Sequence, residues 1–126
     1  MMTPNEILEI DAKRNHPEGT LAGHLRADIN QELENGGDLV QHGNTLIVYR
    51  GVGDGIVEHH SFNADTPDNL LNANMALWRM LKKANAKIAR TTYENPKIND
   101  LLEIAKEEFD INIKQEGSLF IAEVRL

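Results

Sequence analysis

The sequence predicts one α/β domain of the α+β type, with N-terminal helices, an antiparallel meander, and a strand-helix-strand-helix-hairpin unit over Gly55 to Leu126. Three observations carry that reading. Apolar residues recur every three or four positions in several segments, the spacing of amphipathic helices. Short runs rich in β-branched residues separate them, and Gly, Asn and Pro cluster at the junctions. A chain of 126 residues has room for one core, whereas two separate cores would each be marginal.

Taken in order, Thr3 and Glu6 form a capping-box pattern with Pro4 in the first helical position, so a helix is expected from Pro4 to about Lys13. Asn15-His16-Pro17 breaks it. From Thr20 to Glu34, Leu21, Leu25, Ile29 and Leu33 recur every four residues as one stripe, closed by Asn35-Gly36-Gly37. Leu39 to His42, a turn at Gly43-Asn44 and Thr45 to Arg50 read as a hairpin. After the glycine-rich turn Gly51 to Gly55, a third strand runs from Ile56 to about Asn63; connections this short require antiparallel neighbours.

Thr66 is placed to cap the next helix, with Pro67 in its first turn and Asp68 complementing the positive end of the dipole. Leu70, Leu71, Met75, Leu77, Trp78 and Leu81 continue the stripe to Lys83, with Met75 and Trp78 expected in the core. A strand follows from Ala86 to Tyr93. Asn95-Pro96 opens a last helix carrying Ile98, Leu101, Leu102 and Ala105, and Phe109 to Lys114 and Leu119 to Arg125 form a closing hairpin around Gln115 to Ser118. If that last strand lay at an edge, it could pair with a second copy of the chain.

Composition excludes several classes. There is no Cys, hence neither a disulfide framework nor a thiolate zinc site. No apolar run approaches the roughly 18 to 20 residues that span a bilayer, and Met1 to His16 mixes charges with apolar residues, so a cytoplasmic location is expected. Thirteen basic against 20 acidic residues give a net charge of −7, which opposes direct binding to nucleic acid or an anionic membrane. Acidic mimicry of DNA would need a stripe of negatives, and these are scattered. Lys82, Lys83 and Lys87 sit close together, as cations at the end of a solvated helix do.

The densest cluster of reactive side chains is Glu58-His59-His60, residue types used as general bases and metal ligands. On a strand, His59 and His60 face opposite sides, while Glu58 and His60 share a face with Ile56 and Phe62. No third ligand has suitable spacing, so no metal site is expected. Arg50 to Gly55 lacks the Gly-Lys-Ser/Thr ending of a phosphate loop and leads into a strand.

The order of elements, with Tyr93-Glu94-Asn95-Pro96-Lys97-Ile98 leading to Leu101-Leu102 and the closing Gly117-Ser118-Leu119-Phe120, resembles the GNAT acetyltransferases. Over about residues 39 to 126 it resembles in particular the small GNAT-like proteins of tailed bacteriophages. The resemblance implies that the strands Ile56 to Phe62 and Ala86 to Tyr93 run parallel and splay apart where acetyl-CoA would enter. It implies Phe62, Asn63 and Asn95 as cofactor contacts, Glu58 or His60 as the base that deprotonates an amine, and Tyr93 as a substitute proton donor.

Two departures weaken the enzymatic expectation. The stretch Asn63 to Asn69, which should cradle the pyrophosphate, has no Gly and no basic residue; Pro67 removes an N–H, and Asp65 and Asp68 repel phosphate. The tyrosine that active relatives place on the last helix is here Leu102, which has no proton to give. The expectation is therefore a GNAT-fold protein with a degenerate site and no resident cofactor, working through protein partners in a virion or host. The alternative is an active acetyl-CoA-dependent N-acetyltransferase.

Overall fold

A computed structural model describes residues 1–15, 19 and 21–126. Helices α1 (Pro4–Asn15) and α2 (Ala22–Glu34) precede strands β1 (Asp38–His42), β2 (Thr45–Gly53) and β3 (Ile56–Asn63). Helix α3 (Pro67–Lys83), strand β4 (Ile88–Tyr93), helix α4 (Lys97–Ala105) and strands β5 (Asp110–Glu116) and β6 (Leu119–Arg125) complete it. The strands form one six-stranded sheet in the order β1-β2-β3-β4-β6-β5. Every neighbouring pair is antiparallel except β3 with β4. This is the mixed sheet expected from the sequence.

Alternation along the central strands distributes the core to both faces. Leu46, Val48, Phe62 and Ala64 pack with Ile7, Leu8, Leu25 and Ile29 of α1 and α2. Ile47 points the other way, into the larger cluster built from Leu71, Leu77, Trp78 and Leu81 of α3, Leu102 and Ala105 of α4, and Ala89, Ala122 and Val124 of the sheet. Trp78 is 1 % exposed and meets Phe109 edge to face, with ring centroids 5.2 Å apart. Burying a large apolar side chain stabilises by about 1.5–3 kcal/mol, so these residues fix how the helices sit on the sheet.

Several local expectations change. Leu21 stands outside α2 as its N-cap residue and Leu33 is also exposed, so the buried stripe reduces to Leu25 and Ile29. The expected start of α2 at Thr20 and the break at His16-Pro17 lie outside the described residues. β2 runs on to Gly53 because a bulge between Gly51 and Gly53 absorbs the glycine-rich segment into the strand. β4 begins at Ile88 because Asn85 takes a left-handed turn (φ 67°) and the Ala86 amide returns to Leu81 to close α3. The last strand is not at an edge: β6 lies between β4 and β5, so β5 presents the free side and β6 is not available to a second copy.

Candidate functional site

β3 and β4 pair only from Ile56 to Glu58 against Ile88 to Arg90; beyond that their register ends. At this divergence lies a groove of about 440 Å³, lined by β3, β4, the end of β2 and the face of α2. The groove exists because α1 and α2 pack over β1, β2 and β3 while β4 stands beyond them.

Glu58, His60 and Phe62 line this groove, and His59 borders it as well, although its imidazole bonds to Trp78 on the other face. They do not act as an isolated base. Arg90 Nη2 lies 3.1 Å from Glu58 Oε1, and Arg50 Nε holds Glu32 Oε2 at 2.8 Å on the opposing wall. The His60 ring stands edge to face on Phe62 at 4.9 Å, and Phe62 is 3 % exposed within the α1/α2 core. Asp28, Gln31, Thr91 and Thr92 also line the groove and were not expected from sequence. Finding them requires the β3–β4 register and the rotation of α2, which no local pattern encodes.

His59 points to the other face, where its Nε2 accepts the Trp78 indole N–H at 3.1 Å. Burial, assisted by the neighbouring His60, pushes its pKa down to about 3. It is a neutral core residue whose Nδ1 has no hydrogen-bond partner. Among the described residues, no group of three or more His, Cys, Asp or Glu side chains could hold a metal. His24 accepts from the Leu21 amide at the start of α2, and His16 lies outside the described residues.

The loop from β3 to α3 is closed on itself. The Asn63 amide donates to Asp11 Oδ1 (3.0 Å), Ala64 to the Asn44 carbonyl (2.9 Å), Asp65 to Asn63 Oδ1 (3.0 Å) and Thr66 to Asp65 Oδ1 (2.8 Å). Pro67 has no N–H, the Asn69 amide is capped by Thr66 Oγ1 (3.2 Å), and the Leu70 amide reaches the Thr66 carbonyl (3.1 Å). At this helix N-terminus the amides of Thr66, Asn69 and Leu70 are thus engaged by protein oxygens. The Asn63 side chain is equally occupied: its Oδ1 also accepts the Thr45 hydroxyl (2.7 Å), and its Nδ2 donates to the carbonyls of Asp65 and Thr66. Arg14 reaches the loop from α1, where its Nη1 donates to the Asp65 carbonyl at 3.0 Å.

The remaining candidates lie apart from the groove lining. Tyr93 stacks on Phe120 at 5.4 Å and donates its hydroxyl to Asn99 Oδ1 on α4; burial raises its pKa and makes it a poorer acid. Asn95 accepts the Lys97 amide at 3.0 Å, a local turn ahead of α4. Leu102 is 5 % exposed and belongs to the core against the sheet.

The backbone matches solved acetyltransferase structures. One is a ribosomal-protein-alanine N-acetyltransferase from Brucella melitensis, with TM-score 0.61 and 11% identity, covering 99% of this chain and 97% of that one. Another is a candidate acetyltransferase from Acinetobacter baylyi ADP1, with TM-score 0.61 and 14% identity, covering 99% and 89%. No family model matches the sequence, and no curated protein matches it. The four helices and six-stranded mixed sheet are those of the GNAT acetyltransferase fold, and at these identities the likeness speaks to the fold alone.

Proposed function

We propose that this chain is a GNAT-fold protein with a degenerate acetyl-CoA site, which acts through contacts with other proteins instead of by acetyl transfer. The observation that carries the reading is the β3–α3 loop, in which the amides of Asn63, Ala64, Asp65, Thr66 and Asn69 are satisfied by Asp11, Asn44, Asn63, Asp65 and Thr66. Admitting a pyrophosphate there would break several of these bonds and bring it beside Asp65 and Asp68, a repulsive site for an anion. Leu102 in the core and Tyr93 tied to Asn99 leave the position beside a departing thiolate without a free acid. The sequence resemblance to small proteins of tailed bacteriophages supports placing the partners in the virion or the host cytoplasm. Among the described residues no helix is long and apolar enough to cross a membrane.

Isothermal calorimetry with acetyl-CoA tests this reading. It predicts binding weaker than about 100 μM, equivalent to roughly −5.5 kcal/mol; tighter binding would overturn it. The second reading, an acetyl-CoA-dependent N-acetyltransferase, is favoured by the groove at the strand splay with Glu58 and His60 on its wall. On that reading Glu58 would accept the amine proton only after leaving Arg90, and Glu58→Gln and His60→Ala would each lower the transfer rate.

A further inference from the structure

The cations Lys82, Lys83 and Lys87, close in sequence, are joined by Arg125 in the fold. Lys82 and Lys83 occupy the last turn of α3, and Arg125 ends β6 in register with Ile88, one residue beyond Lys87. Lys82, Lys87 and Arg125 surround a shallow concavity of about 580 Å³ whose floor includes Ala86, Ile88 and Leu126. Lys87 is held in direction from below: a Cβ on Gly55 would stand 2.8 Å from the Lys87 Cγ, so only a glycine there lets the lysine stem lie flat. The Lys87 amide is fixed by the Gly55 carbonyl at 2.8 Å, and its own carbonyl accepts the Leu126 amide at 2.9 Å.

All four cations are exposed, on a chain of net charge −7. Acids temper this charge, and Glu108 is close enough to feel Lys82. Glu108 is engaged bidentately by Arg79 at 2.8 Å, and Asp110 stands opposite Arg125 in the β5–β6 register. Among the described residues, Lys82, Lys83, Lys87 and Arg125 form no ion pair within 4 Å. A cationic rim around an apolar floor complements carboxylates flanking an apolar side chain.

We infer that this pole is a docking surface for an acidic peptide segment of a partner protein, with an apolar residue seated on Ala86, Ile88 and Leu126 between flanking carboxylates. The inference rests on the protein-contact reading above and gives it a surface and a partner chemistry. The negative field of the rest of the chain opposes a long polyanion such as DNA but much less a short peptide confined to this pole.

The test uses a fluorescein-labelled peptide of glutamates around one central leucine, titrated with the full chain and followed by anisotropy. Saturable binding is expected, weakening when salt rises from about 50 to about 300 mM. Lys82→Glu/Lys87→Glu/Arg125→Glu should lower affinity at least about tenfold with an unchanged circular dichroism spectrum, while Lys13→Glu/Lys97→Glu/Lys114→Glu should change it less than about threefold. Replacing the leucine by glycine should weaken binding several-fold. No binding at millimolar protein, equal loss in both triple variants, or no effect of the glycine peptide would overturn the proposal. Displacement of the peptide by an equal charge of duplex DNA would assign the pole to nucleic acid instead. Acetyl-CoA calorimetry is independent of all these outcomes, so the surface and the degenerate site fail separately.

Discussion

His59 makes the fold acid-sensitive in a way that can be worked out from its surroundings. In the native state Nε2 accepts the Trp78 N–H at 3.1 Å, so the neutral ring carries its proton on Nδ1. A second proton would have to enter at Nε2, facing another donor in a site only 5 % exposed. Burial, with His60 adding to it, thus pushes the native pKa down to about 3. The unfolded imidazole titrates near 6.5, so below that pH the unfolded state binds the extra proton and the native state does not. Stability from this residue is complete above about pH 6.5 and is lost as pH falls towards 3. The loss is about 2 kcal/mol at pH 5 and about 3 kcal/mol at pH 4, against a total of roughly 5–15 kcal/mol for a domain. Urea unfolding followed by the fluorescence of Trp78, the only tryptophan, should show this slope at pH 7, 6, 5 and 4. His59→Gln retains an acceptor for the indole and cannot titrate, so its curve should be flatter by that amount. Parallel pH dependence in the two proteins would refute the assignment of His59 as the buried neutral base.

Other substitutions probe the supports of the site and the core. Asp11→Ala removes the acceptor of the Asn63 amide and of Asn15 Nδ2, and should lower stability by about 1–3 kcal/mol in urea titrations, with the loss concentrated around β3 and the following loop. Gly37→Ala should cost about 1–3 kcal/mol, because its Cβ would stand 2.7 Å from the Glu32 carbonyl oxygen and 3.1 Å from that of Tyr49, both backbone atoms that cannot swing aside. Trp78→Ala should cost about 3–5 kcal/mol, measured by thermal unfolding, since it empties the contact between α3 and Phe109 and leaves His59 without its donor.

The backbone was legible where local chemistry and tertiary packing agree. Thr66, Pro67 and Asp68 start α3 as their side chains predict, and the β1–β2–β3 meander follows from turns too short for any other pairing. Leu21 and Leu33 misled because a stripe of four leucine-like positions says nothing about how far α2 overlaps the sheet; only Leu25 and Ile29 lie over it. Whether the closing strand lay at an edge was open in the sequence; its apolarity reflects burial between β4 and β5, which only the crossover order reveals.

At the site, alternation along β3 correctly separated His59 from Glu58 and His60. Arg90 was invisible because its partnership with Glu58 depends on the parallel register across α3. The acidic, proline-containing character of the stretch after β3 is plain in the sequence. That its amides close on Asp11 and Asn44 depends on contacts from α1 and the β1–β2 turn, far away in sequence.

The central claim is that the β3–α3 loop keeps the amides of Asp65, Thr66, Asn69 and Leu70 engaged within the protein, and backbone amide NMR of Asn63 to Leu70 tests it most directly. With acetyl-CoA raised to about 2 mM, some twenty times the limiting dissociation constant of about 100 μM, the resonances of Asp65, Thr66, Asn69 and Leu70 should stay in place. Their hydrogen exchange should remain slow, as expected of internally bonded groups. Saturable shifts centred on these amides would show that the cradle opens to the cofactor and would contradict the account.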